Sequence, residues 1–160
     1  MATAKTLSEM TPKSKKLVIL AMYLTNLNFM LMSYSCALAH PAKLGAIGAL
    51  GFYALANALS AMGMMSTLPF SGKLGDMFGR KWLTIGSVAI HFVLFALAGF
   101  STTPLGFLIP FCLAGCAAGF FMPAPYAIMA DVSEPKQRPK LYGFLATTSA
   151  IGCIVGPVVS

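Results

Sequence analysis

The sequence predicts an all-α polytopic membrane protein, and three observations support this fold class. First, 58% of the 160 residues are hydrophobic and only 9% are charged, a balance far from that of a soluble domain. Second, the apolar residues form segments of about 20 residues, long enough for a helix to cross a hydrocarbon core of about 30 Å. Third, the basic residues gather between alternate segments. Because only helices and closed barrels satisfy their backbone in lipid, segments this long are predicted to be helices.

A polar tail and five membrane spans are predicted. The tail comprises residues 1–16 and is expected to be flexible. The first span is too long for the h-region of a removable signal peptide, which has about 7–15 residues. Residues 40–44 and 101–104 are predicted as short external loops, so neighbouring spans should pack as antiparallel helix pairs. The predicted spans are residues 17–39, 45–70, 82–100, 105–130 and 141–160.

The basic residues predict the orientation of the chain. All of the eleven lysines and arginines except Lys43 lie in the tail, between spans two and three, or between spans four and five. Since cytoplasmic loops are enriched in Lys and Arg, the N-terminus is predicted to be cytoplasmic. The plasma (inner) membrane is the expected location. The net charge of +7 therefore reflects the basic residues that mark the cytoplasmic segments. No nucleic-acid partner is expected, because the bases do not form an aromatic-interleaved patch on a soluble face.

Small residues, prolines and cysteines predict how the helices pack. Glycines recur at four-residue spacing, which lets helix backbones approach closely in lipid. No cofactor or metal is predicted, although Cys112 and Cys116 leave a soft-metal path open as an alternative, since thiolates select Cu(I). The fourth span should be bent or locally unwound, because its prolines each remove a backbone donor: Pro110, Pro123 and Pro125.

The loop between the second and third spans is rich in glycine and charge, and reads Gly-Lys-Leu-Gly-Asp-Met-Phe-Gly-Arg-Lys over residues 72–81. Asp76 follows the C-terminal end of one span and Arg80 opens the next. Each charge therefore lies at the unfavourable end of a helix dipole, at a cost of about 0.3–1 kcal/mol. Asp131 repeats the pattern after span four. Such charges need partners elsewhere, so an ion network is expected at this membrane face, with solvated loop residues as the alternative.

This stretch resembles the signature motif of the major facilitator superfamily in its letters and in its position after the second span. The resemblance implies the first five helices of an N-terminal six-helix bundle. It also implies that the glycines serve close packing and that Asp76, Arg80 and Asp131 form a charge relay stabilising one state of alternating access. Met77 departs from the pattern, which often has a basic residue there. The residues of this implied conformational switch are Gly72, Gly75, Asp76, Gly79, Arg80, Lys81 and Asp131.

The fifth span resembles the antiporter motif of the drug/proton antiporters in the same superfamily. Gly152 and Gly156 lie within about 40° of each other on a helix and would present a flat stripe to a facing helix. Pro157 would free the carbonyl of Cys153 and bend the helix. Ser160 stands where the family usually has glycine, and a generic packing stripe is the alternative. The residues of this antiporter-like motif are Gly143, Gly152, Gly156 and Pro157.

Polar residues inside the predicted spans are candidates for function. The resemblance places spans one, two, four and five beside the central path, which makes Asn26, Asn57 and Tyr126 the candidates for lining the cavity. Ordinary interhelical hydrogen bonding remains the alternative for each asparagine. For His91, in the third span, packing or an interhelical hydrogen bond is the expected role.

The predicted function is secondary transport by alternating access, with drug or small-molecule efflux by proton antiport as the leading subtype. The predicted partners are the lipid bilayer, a small-molecule substrate, protons and the remaining helices of a longer chain, since the last span runs to Ser160 without a closing loop. No acidic residue lies within any predicted span, so a uniporter or solute exchanger is one alternative. A transport-inactive sensor or assembly module is another. No enzyme is predicted, because no constellation such as H-E-x-x-H occurs.

Overall fold

The computed structural model describes residues 11–46 and 48–159, and these residues form six α-helices and no β-strand. The all-α prediction is therefore confirmed. The first ten residues of the predicted tail and Ser160, the last residue of the predicted fifth span, lie outside the described residues. We number the helices α1 Pro12–Ala46, α2 Gly51–Phe78, α3 Arg80–Phe100, α4 Pro104–Phe121, α5 Ala124–Val132 and α6 Arg138–Val159.

Four helical stretches in the described part of the chain are long and apolar enough to cross a bilayer: Pro12–Ala46, Arg80–Phe100, Pro104–Val132 and Arg138–Val159. With 28 residues, α2 is about 42 Å long, which also suffices to cross the hydrocarbon core. It is not among the four, and polar residues such as Asn57, Ser60 and Thr67 lower its hydropathy. The assignment of α2 as the second of five spans stays a prediction.

The first helix runs past both ends of its predicted span. It begins at Pro12, whose fixed φ suits the first helical position, and the Thr11 hydroxyl lies 3.4 Å from the Ser14 N–H as an N-terminal cap. Residues 12–16 of the predicted flexible tail are therefore helical. At the other end, residues 40–44 are helical where an external loop was predicted. The reason is tertiary: His40 is buried among phenylalanines, and the Lys43 ammonium donates to the Gly99 carbonyl.

The fourth predicted span is broken into α4 and α5, which confirms the expected local unwinding. The break consists of Met122 and Pro123, which form a turn between the two helices. Pro123 and Pro125 each lack the N–H that would bond the carbonyl four residues earlier, so two backbone hydrogen bonds of a continuous helix cannot form here. Pro110, in contrast, is accommodated inside α4.

The chain divides into two compact units, one comprising residues 11–35 and 125–159 and the other residues 36–124. In the second unit, α2 and α4 meet along a seam of small residues. A Cβ on Gly115 would overlap the Ser60 carbonyl, and a Cβ on Gly119 would overlap Thr67. On the facing helix, a Cβ on Gly63 would lie 2.8 Å from the Cys116 sulfur. Both helices thus supply glycines, so their backbones approach more closely than any side chain would permit.

The same unit joins α3 to α4 through one hydrogen bond and a cluster of rings. His91 is buried, and its Nδ1 lies 3.0 Å from the Ala114 carbonyl, to which it donates. The His91 ring also packs 4.4 Å from that of Phe95. Interhelical bonding is the role expected of His91, and it is the role that the structure gives it. The aromatic cluster continues outward through Phe111 and Phe107, whose rings stack at 5.1 Å.

The seam predicts that Gly115→Leu destabilises the protein. The added side chain would overlap the Ser60 carbonyl and force α2 away from α4, a strain of about 1–3 kcal/mol. The unfolding midpoint in mild detergent should fall by roughly 2–12 °C. A thiol-reactive dye can report the transition, since the four free cysteines are all partly buried.

Gly99→Leu is the matched control for this measurement. It makes the same change on an exposed face of α3, where no atom lies within 4 Å of the added Cβ. Its midpoint should stay close to that of the wild-type protein. Equal midpoints for the two variants would show that the seam does not hold α2 against α4.

Candidate functional site

The turn between α2 and α3 carries most of the predicted switch residues, and it is built on Gly79. Because α2 ends at Phe78 and α3 begins at Arg80, this glycine alone connects them. Its φ of 89° is a backbone conformation that L side chains rarely adopt, which explains the need for glycine. The Gly79 carbonyl then accepts the Leu83 N–H at 3.1 Å and starts α3. Most of the predicted loop is therefore helical, because one glycine suffices to make the turn.

The other two motif glycines lie on the last turns of α2. Gly75 is buried, and a Cβ there would lie 3.4 Å from the Arg80 Cγ, so its hydrogen lets the arginine side chain fold over α2. Gly72 is exposed, and no described atom lies within 4 Å of the position that its Cβ would take. Gly75 therefore packs closely against the start of α3, as implied for the motif glycines. For Gly72, close packing stays a prediction.

The charged residues of the turn form an ion pair that is mostly exposed. An Arg80 guanidinium nitrogen lies 3.1 Å from an Asp76 carboxylate oxygen, and the two side chains are 32% and 67% exposed. Such a surface pair contributes about 0–1 kcal/mol. Asp76 lies in the last turn of α2 and Arg80 in the first of α3, so each opposes its own helix dipole by about 0.3–1 kcal/mol. The pair therefore adds little net stability to this turn.

The third member of the implied relay lies in the other unit. Asp131 is exposed near the end of α5, and its connection to Asp76 and Arg80 stays a prediction. Lys81 is exposed beside the turn, with its ammonium 5.8 Å from the centre of the Trp82 ring.

Arg138 is a residue near Asp131 whose role the sequence did not reveal. A guanidinium nitrogen of Arg138 donates to the Ala130 carbonyl at 3.0 Å, which places a cation at the favourable, C-terminal end of α5. Its Nε is buried and has no hydrogen-bond partner among the described residues. The sequence identified Arg138 only as a basic loop residue. Pro139 at the second position of α6 was the signal that a helix begins at Arg138.

The glycines of the antiporter-like motif pack against α1. A Cβ on Gly152 would overlap Met30, and a Cβ on Gly156 would lie 2.8 Å from the Tyr34 Cβ. The flat stripe expected from their spacing is therefore present, and α1 is the helix that occupies it. Gly143 is exposed with open space around it, and Pro157 is accommodated within α6.

Of the three candidate cavity residues, Asn26 is the most buried, with 4% of its surface exposed. Its amide nitrogen lies 3.0 Å from the Thr148 hydroxyl, 2.8 Å from the Ser149 hydroxyl and 3.3 Å from the Leu145 carbonyl. These contacts cross from α1 to α6, one turn from the glycine stripe. Asn26 thus has the interhelical role that its sequence context left open, and it fixes the register of the two helices.

The other two candidates are more exposed. Asn57 is exposed on α2, and its amide donates to the Tyr53 carbonyl of its own helix at 2.9 Å. Tyr126 opens α5 beside the proline break, with its ring 5.5 Å from that of Tyr142. The Tyr142 hydroxyl also lies 3.4 Å from the Tyr126 carbonyl. Each of the two side chains is exposed in its own unit, and contact with a substrate stays a prediction.

No group of three metal-ligating side chains occurs within residues 11–46 and 48–159. Cys112 and Cys116, the alternative soft-metal ligands, contact the seam between α2 and α4. The Cys112 thiol lies 3.7 Å from the Leu59 carbonyl, and the Cys116 sulfur fills the space in front of Gly63.

Proteins of similar sequence include ones named as a multidrug resistance protein, an antiporter and a multidrug transporter. "Multidrug resistance protein 2" of Bacillus subtilis is 34% identical over 97 residues, which cover 61% of this chain and 24% of that protein. "Na(+), Li(+), K(+)/H(+) antiporter" of Planococcus maritimus is 34% identical over 94 residues, 56% of this chain and 22% of the antiporter. "Multidrug transporter protein MdtP" of Bacillus subtilis is 25% identical over 121 residues, 76% of this chain and 22% of that protein.

The matched segments thus span less than a quarter of the length of these relatives. The sequence model of the Major Facilitator Superfamily matches residues 17–160, which is nearly the whole chain. Together with helices apolar enough to cross a bilayer, this match shows that the chain is an integral membrane protein and belongs to the Major Facilitator Superfamily.

Proposed function

We propose that this chain forms the first five membrane spans of a secondary transporter that exports small organic molecules by alternating access. The family match and the multidrug transporters among its relatives support export of this substrate class. In this proposal the N-terminus is cytoplasmic, since all basic residues except Lys43 then fall on the cytoplasmic side. The further helices of the longer protein and the lipid bilayer are its partners, and transport rather than catalysis is its activity.

The observation that carries the proposal is the arrangement of charge at the α2–α3 turn. Asp76 and Arg80 pair with each other, yet both lie at the unfavourable ends of their helix dipoles. A pair placed for stability alone would have the two charges exchanged. Their actual placement favours a function in which they engage other groups in one state of the transporter and release them in the other. Asp131 is the partner that the family resemblance suggests.

An organic substrate is favoured over an alkali cation, although one relative bears the name of a cation antiporter. Hard cations are bound by oxygen ligands, and an acidic side chain within a span marks an ion or proton path in many transporters. All four acidic residues of the sequence, Glu9, Asp76, Asp131 and Glu134, lie outside the predicted spans. The spans instead offer amide, hydroxyl and aromatic groups, such as Asn57 and Tyr126, which suit organic molecules.

The first prediction concerns Asp76→Asn. This change keeps the shape of the side chain but removes the charge that pairs with Arg80. In the proposed switch the carboxylate also engages other groups in one state, and loss of a charge-assisted bond of about 1.5–3 kcal/mol shifts the equilibrium between two states at least tenfold. We therefore expect the initial rate of ethidium efflux, from cells expressing the protein from its native gene, to fall at least tenfold. The amount of protein in the membrane, measured by immunoblot, should not change.

Glu134→Gln is the matched control. It removes one negative charge from the exposed connection between α5 and α6, outside the switch motif. Its efflux rate should equal that of the wild-type protein. Normal efflux by the Asp76→Asn variant would contradict the proposed role of the turn, whereas an absence of ethidium efflux by the wild-type protein would contradict the proposed substrate class.

The second prediction concerns the coupling ion. If substrate export is exchanged for protons, collapsing the proton gradient with an uncoupler should abolish uphill ethidium efflux within the time of gradient decay. Downhill exchange of ethidium across the membrane should continue. Uphill efflux that persists with the uncoupler would contradict proton antiport and would favour a solute exchanger.

A further inference from the structure

An apolar groove lies in the second unit, between the end of α2, the part of α3 from Trp82 to Leu94 and the facing side of α4. Its volume is about 590 Å³, and it is lined almost entirely by carbon atoms. Phe78 and Trp82 stand at one end of the lining, and Leu94 at the other. The one hydroxyl in the lining, that of Ser87, already donates to the Thr84 carbonyl at 3.0 Å. The groove therefore offers no directed polar contact and suits a purely hydrocarbon occupant.

The length of the groove fits one acyl chain of one bilayer leaflet. Its lining on α3 runs from Trp82 to Leu94, a rise of about 18 Å along the helix. Half of the hydrocarbon core is about 15 Å thick. The groove also begins at the α2–α3 turn, where the tryptophan and the adjacent lysine mark a membrane interface, so an acyl chain entering there would lie along the bilayer normal.

The charges beside this end of the groove favour an anionic headgroup. Lys73, Arg80 and Lys81 are close to one another in the sequence, and the carboxylate of Asp76 pairs with Arg80. The two lysines are exposed, and Lys81 directly precedes the tryptophan at the groove entrance. A basic residue at a membrane surface attracts an acidic lipid with a free energy that corresponds to about a fivefold change in affinity.

We propose that the groove is a binding site for a phospholipid of the bilayer, with one acyl chain along α3 and the anionic headgroup at Lys81. None of the candidate cavity residues Asn26, Asn57 and Tyr126 lines this groove, and its occupancy does not depend on which molecule is transported. A lipid bound here would wedge between α2 and α3 next to the switch turn.

Gly86 provides a way to close the groove without disturbing the fold. It lines the groove in the middle of α3, and no atom lies within 4 Å of the position that its Cβ would take. A leucine at this position would project into the open space. Gly86→Leu therefore blocks the proposed acyl-chain site, and Gly99→Leu makes the same change on the same helix outside the groove.

The test uses the fluorescence of Trp82, the only tryptophan among residues 1–160, in the longer transporter with any further tryptophan replaced by phenylalanine. This protein is reconstituted into phosphatidylcholine nanodiscs that contain increasing fractions of phosphatidylglycerol brominated on its acyl chains. Bromine quenches tryptophan only at short range. Occupancy of the groove should give a saturable quenching component at phosphatidylglycerol fractions about fivefold lower than those required of brominated phosphatidylcholine.

The variants separate the groove from ordinary lipid contact. Gly86→Leu should lose the saturable component and retain only quenching proportional to lipid fraction, while Gly99→Leu should behave as the wild-type protein does. Lys81→Gln should retain saturable quenching and lose the preference for phosphatidylglycerol.

Saturable quenching that survives in Gly86→Leu would contradict binding of the acyl chain in the groove. Equal quenching by the two lipids in the wild-type protein would contradict the preference for an anionic headgroup. A groove covered by another helix would give no quenching above the proportional component, which would also overturn the proposal.

Discussion

Helix packing in both units relies on the close approach of helix backbones. In hydrocarbon, burial of apolar side chains gives no driving force between helices, so contact must come from packing and from interhelical hydrogen bonds. Each unit meets this requirement with a glycine seam. In one, Gly115 and Gly119 bring α4 onto α2; in the other, Gly152 and Gly156 bring α6 onto α1. Polar contacts accompany each seam, from Thr67 to the Cys116 carbonyl at 3.0 Å and from Asn26 to α6.

This packing also explains where movement and regulation can occur. Helices locked at glycine seams move as units, because any separation leaves voids and unpaired polar groups. The α2–α3 turn differs: its charges are exposed, its ion pair contributes little stability, and one residue, Gly79, sets its geometry. The proposed switch at this turn would therefore change the partners of Asp76 and Arg80 at little cost in folding stability. The groove beside Lys81 places the proposed lipid at the same turn.

The sequence predicted those features that depend on local periodicity and on single residues. The length of the apolar segments indicated the helices, the prolines indicated the break between α4 and α5, and glycine spacing indicated the stripe on α6. Features that depend on distant contacts were not predictable. The helical extension to Ala46 depends on rings from α3 and α4 around His40, and the capping of α5 by Arg138 depends on the path of the connection between α5 and α6. The loop at residues 72–81 was expected from its glycines, but only Gly79 has a positive φ there.

Exchanging the charges of Asp76 and Arg80 distinguishes a conformational switch at this turn from a purely structural ion pair. The double variant Asp76→Arg, Arg80→Asp preserves the ion pair and puts both charges at the favourable ends of the helix dipoles, a local gain of about 0.3–1 kcal/mol for each. The quantity to measure is its rate of substrate efflux per folded molecule in the membrane. If the turn works by engaging other groups, the variant will fold at least as well as the wild-type protein and will not transport. Transport at the wild-type rate would show that the ion pair only stabilises the turn, and would contradict a role of Asp76 and Arg80 as a conformational switch.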